Sequence, residues 1–69
     1  MAKTKIVATI GPVSDSSQII EALIKAGVNV FRFNLKHNDQ RWHNSRIQRV
    51  KRMFNKLRRP SSILLDLPF

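Results

Sequence analysis

The chain has 69 residues, with thirteen Lys and Arg against four Asp and Glu, a formal net charge of +9 and no cysteine. That length allows one small unit, which buries only about 60% of the surface its unfolded chain exposes, and the lack of thiols excludes disulfides and thiolate-metal sites as reinforcement. No apolar run approaches the roughly 20 residues of a membrane helix, and Met1-Ala2-Lys3 leads into a strand pattern without a signal-peptide layout, so a soluble, cytoplasmic protein is expected.

Lys5 to Ile10 is short, rich in β-branched residues and closed by Gly11-Pro12, which predicts a buried strand entering a loop. The loop from Val13 to Ser17 offers Ser14, Asp15 and Ser16 as N-caps. From Gln18 to Ala26, Ile19, Ile20, Leu23 and Ile24 fall on one helical face, and Gly27 suits the C′ position because glycine tolerates positive φ. Val28 to Asn38, V-N-V-F-R-F-N-L-K-H-N, is a buried-strand pattern that becomes polar towards its end. Alternation sends Val28, Val30, Arg32, Asn34 and Lys36 to one side and Phe31, Phe33 and Leu35 to the other. A guanidinium, an amide and an ammonium at the carboxyl end of a hydrophobic strand stand where α/β folds place anion-binding and catalytic groups.

A second helix is predicted from Asn38 or Asp39, both good caps, to Leu57 or Arg58, before Pro60 forbids continuation. His43, Ile47, Val50, Phe54 and Leu57 share its apolar face, while Arg41, Arg49, Arg52, Lys56 and Arg59 project about opposite. Ser62 to Leu67 supplies a third strand, apolar until Asp66. From Lys36 to Arg59 there are nine basic residues and one acid, Asp39. Such a run suits nucleic acid, and it equally suits the solvated face of a helix. Strands separated by helices imply parallel pairing with right-handed crossovers, a β-α-β-α-β piece of an α/β fold. Both helices then cover one sheet face, and the opposite face needs further chain, as in a closed barrel whose interior that face would form.

Three ordered blocks carry a family resemblance: K-T-K-I-V-A-T-I-G-P at Lys3 to Pro12, A-G-V-N-V-F-R-F-N-L-K-H at Ala26 to His37, and I-L-L-D at Ile63 to Asp66. In sequence and spacing they resemble the amino-terminal end of pyruvate kinase over nearly the whole chain. The resemblance implies the first two strand-helix units and third strand of a TIM barrel. It also implies phosphoryl transfer from phosphoenolpyruvate to ADP, giving pyruvate and ATP, with Mg²⁺ and usually K⁺.

Residue by residue, the resemblance gives Arg32 the substrate phosphate, a task that suits a fixed guanidinium fork. The lesser reading of Arg32, taken alone, is a strand-end arginine paired with Asp66. Asn34 matches a ligand of the K⁺ and nucleotide site, and Asp66 the carboxylate that helps hold the same cation. Otherwise both are turn or capping residues. His37 matches a histidine near the nucleotide and by itself is a loop histidine, whereas His43 is placed for packing. Where the family has a serine contributing oxygen to K⁺, this chain has Lys36, which has no acceptor to offer a metal. Its ammonium either takes the K⁺ position between Asn34 and Asp66 or points to solvent.

The glycine after the family's histidine is Asn38 here, which also reaches the left-handed region. The family's threonine after the aspartate is Leu67, whose backbone carbonyl could still ligate. The family's catalytic lysine, Mg²⁺ carboxylates and lid domain lie beyond the matched segments, so the isolated chain is expected to be inactive. The alternative from another class is a small basic module that holds nucleic acid or another polyanion on its second helix.

Overall fold

The structure is a computed structural model that describes residues 5–60 and 62–66. Five elements follow in chain order: β1 (Val7–Ile10), α1 (Ser17–Lys25), β2 (Val30–Asn34), α2 (Gln40–Leu57) and β3 (Ser62–Asp66). The expected third-strand end at Leu67 lies outside the described residues. The three strands form one parallel sheet in the order β1-β2-β3. This is the β-α-β-α-β architecture expected from the hydrophobic pattern.

Local chemistry explains the boundaries. The Ser16 hydroxyl accepts from the Ile19 amide at 3.2 Å and caps α1, while the Asp39 carboxylate accepts from the Trp42 amide at 2.8 Å and caps α2. Gly27 leaves α1 at φ 115°, and its amide and that of Val28 donate to Ile24 and Leu23 carbonyls, closing the last turn. Helix α2 ends instead on Arg58 at φ 53°, a left-handed arginine two residues ahead of Pro60. At the start of the sheet, the Asn29 side chain accepts from the Ile6 amide at 2.9 Å, and its backbone bonds both Ile6 and Ser62.

Both helices lie on one face. Ile10, Phe31 and Phe33 from the sheet meet Ile20 and Ile24 of α1 and Val50 and Phe54 of α2 in the core, with Ala8 and Ile63 packed at its edge. Phe31 and Phe54 meet edge to face, 5.5 Å between centroids. On the other face no helix covers Val7 or Leu64, which are 52% and 49% exposed, while Val30, in register with Val7 and Ser62, is buried.

Two expectations are corrected here. Alternation predicts Val28 on the Arg32 side, but it joins the helix-side core, because β2 begins at Val30 and the Val28 backbone is bonded into the end of α1. Helical spacing predicts Arg49 and Arg59 on an outward stripe, yet the Arg49 guanidinium donates to the Asp15 carbonyl and that of Arg59 to the Ile24 carbonyl at 3.3 Å. Arg46 pairs with the Asp15 carboxylate at 2.9 Å and lies 4.7 Å from the Trp42 ring. Three arginines of the α2 region thus clamp both ends of α1 through charge-assisted hydrogen bonds.

Candidate functional site

The carboxyl ends of the strands meet at one rim of the open face. Parallel register places Thr9, Arg32 and Leu64 in one row, and Asn34 beside Asp66 in the next. Across the diagonal the Arg32 guanidinium donates through Nη2 to the Asp66 carboxylate, with the two side chains 34% and 43% exposed. Arg32, Asn34 and Asp66 therefore converge as the sequence reading required, and the pairing read as an alternative for Arg32 is present too. The two readings are compatible. A guanidinium has five N–H donors, so a carboxylate at one edge can orient it while other donors stay open to an anion.

Beyond Asn34 the strand gives way to a turn, for reasons local to these residues. The Asn34 side-chain oxygen accepts from the Lys36 amide at 3.1 Å, the Asn34 carbonyl from the His37 amide at 3.2 Å, and Asn38 takes φ 64°. The Leu35 amide donates to the Asp66 carbonyl at 3.0 Å, which pins the turn to β3. Lys36 thus sits in the turn rather than on the strand, and both it and His37 are exposed. Among the described residues the Lys36 ammonium has no ion pair.

His43 supports this turn from behind. It is 3% exposed, its Nε2 lies 2.5 Å from the His37 carbonyl, and its ring stands edge-on to Trp42 and Phe33. With Nε2 as donor, the ring ties α2 to the backbone of the turn; Nδ1 is buried without a partner. The packing assigned to His43 is correct, and the carbonyl contact was missed. Thr9 was missed as well. Its signal was present in the alternation of β1, which puts Val7 and Thr9 on the side of Arg32 once the register is known.

A hollow of about 400 Å³ lies beside the turn, lined by Leu35, Asn38, Gln40, His43, Asn44, Ile47 and Leu65. Leu65 pairs with Phe33, so this hollow is on the helix side of the sheet, away from Arg32 and Asp66. None of its lining residues carries a fixed charge that would hold a phosphate.

The donor set at the rim does not by itself fit the Mg²⁺ that the resemblance implies. The Asn34 side-chain oxygen already accepts an amide, one Asp66 oxygen already accepts Arg32, and the described residues contain no cluster of three His, Cys, Asp or Glu able to hold a metal. Mg²⁺ takes octahedral oxygen coordination, and one carboxylate does not supply it.

A family model for the pyruvate kinase barrel domain matches residues 1–68. The chain belongs to the pyruvate kinase family. Pyruvate kinase of Staphylococcus saprophyticus is 50% identical over 66 residues, which cover 96% of this chain and 11% of that protein. The pyruvate kinase of Clostridium acetobutylicum is 46% identical over 66 residues, 96% of this chain and 14% of that protein. The chain therefore spans between 11% and 14% of the length of these relatives, and its three strands and two helices are a portion of the family's barrel domain. Among the described residues no helix is long and apolar enough to cross a membrane.

Proposed function

We propose that these residues form the amino-terminal corner of a pyruvate kinase active site, which transfers the phosphoryl group of phosphoenolpyruvate to ADP in the cytoplasm. The observation that carries this reading is the meeting of Arg32, Asn34 and Asp66 at one rim of parallel strands. In it Arg32 binds the phosphoryl oxygens, and Asp66 holds the guanidinium in place before substrate arrives. Such preorganised charge is the main service a protein gives phosphoryl transfer. Asn34 and His37 lie on the nucleotide side. The Asn34 and Asp66 oxygens contribute to a K⁺ site only if remaining donors come from elsewhere in the barrel, because Lys36 replaces the serine ligand. Mg²⁺ is held by groups outside these residues. When bound, the two cations would neutralise phosphate charge.

The isolated 69 residues do not turn over phosphoenolpyruvate on this reading, since one corner cannot position both substrates. The test is a chimera in which residues 1–66 replace the matching segment of the S. saprophyticus enzyme. The chimera should form pyruvate, and Arg32→Gln in it should lower kcat/KM by about 100-fold or more, the loss expected for one charge-stabilising donor. A folded chimera without activity, or one indifferent to Arg32→Gln, would overturn the assignment.

A further inference from the structure

Helix α2 contains six Arg and Lys residues and no Asp or Glu. Those with structural partners lie on its flank: Arg46 and Arg49 hold the start of α1. The outward face differs. Arg41, Ser45, Gln48, Arg52, Asn55 and Lys56 recur at helical spacing opposite the buried residues, and all six are exposed. Among the described residues Arg41, Arg52 and Lys56 have no ion pair. Arg52 and Lys56 are like charges at i,i+4, a spacing that destabilises an isolated helix. The row runs about 22 Å from Arg41 to Lys56 at 1.5 Å per residue.

We propose that this row is a docking surface for the phosphate backbone of duplex nucleic acid, separate from the Arg32 rim. The three cations and the side-chain amides of Gln48 and Asn55 are the donor chemistry that phosphodiester oxygens accept, whereas the Ser45 hydroxyl already donates to the Trp42 carbonyl at 3.0 Å; such contacts hold a duplex without reading its sequence. A single strand fits less well, because the row has no free aromatic for base stacking, and Trp42 lies against Arg46 and His43. A membrane surface fits less well again. A helix lying in a bilayer buries its apolar face there, and the apolar face of α2 is committed to the sheet.

The test measures binding of the full chain to a fluorescently labelled 20-base-pair duplex of mixed sequence between 50 and 200 mM salt. A chain of net charge +9 has some affinity for any polyanion, so two triple variants of equal charge are compared. Arg41→Gln/Arg52→Gln/Lys56→Gln should weaken binding at least tenfold at 100 mM salt and reduce the slope of log affinity against log salt by about 0.9 for each residue that contacts a phosphate. Lys3→Gln/Lys5→Gln/Lys25→Gln should weaken it less than threefold. Circular dichroism confirms the fold of each variant. If the α2 triple does not fold, Arg52→Gln alone against Lys25→Gln alone makes the same comparison, with the larger loss expected at Arg52. Equal losses in the paired variants would overturn the proposal, as would polyglutamate or anionic vesicles competing as well as unlabelled duplex at matched charge.

Discussion

The two faces of the sheet are built from the same three strands and have opposite properties. Towards the helices, Phe31 and Phe33 are fully buried against α1 and α2, while on the other side Val7 and Leu64 are about half exposed, next to Thr9, Arg32, Asn34 and Asp66. The covered face supplies the hydrophobic stabilisation that makes these residues one folded unit. The open face carries the polar groups, and its apolar part has the character of a barrel interior awaiting neighbouring strands. Apolar and polar groups are thus segregated by the pleat, so that neighbouring residues such as Phe31, Arg32 and Phe33 face different surroundings.

The sharpest way to break this contrast is on the covered face. Phe54→Ala removes the edge-to-face partner of Phe31 and should cost about 3–5 kcal/mol, comparable with the whole stability of a domain this small. Urea titration followed by circular dichroism should find the variant largely unfolded; a near-native midpoint would show that the helix side is not the core. A smaller effect is expected where the covered face supports the rim. His43→Phe keeps an aromatic ring beside Phe33 and Trp42 but loses the bond to the His37 carbonyl, a loss of about 1–2 kcal/mol. Amide exchange by NMR should accelerate at Lys36 and His37 and remain slow at Phe31 and Phe33. Uniform acceleration would instead assign His43 to general packing. Smallest of all, Leu64→Gln on the open face should change stability by no more than about 0.5 kcal/mol. A large loss with concentration-dependent melting would mean that another copy covers this face.

Much of this was legible along the chain. Asp39, Gly27 and Pro60 marked helix boundaries through capping and proline chemistry, which act within a few residues and leave a direct trace in sequence. The rim was legible for a related reason: alternation depends only on backbone geometry, so Arg32 and Asn34 had to share a side wherever β2 lay. Alternation was then carried too far. It placed Val28 and Lys36 on the same strand face, when the first belongs to the closing turn of α1 and the second to a turn that the Asn34 side chain nucleates.

By itself, then, the order of residues determined the element sequence, the parallel class of the sheet, the apolar face of α2, that of α1 apart from Ile19, which is 40% exposed, and the kinship to pyruvate kinase. Only the tertiary structure decided that Arg46, Arg49 and Arg59 grip the ends of α1, that Thr9 stands beside Arg32, that Asp66 orients its guanidinium, and that His43 braces the turn after β2. The physical reason is range. Periodicity and capping follow from dihedral angles and hydrogen bonds between near neighbours, whereas a guanidinium chooses among acceptors that folding brings close from about thirty residues away.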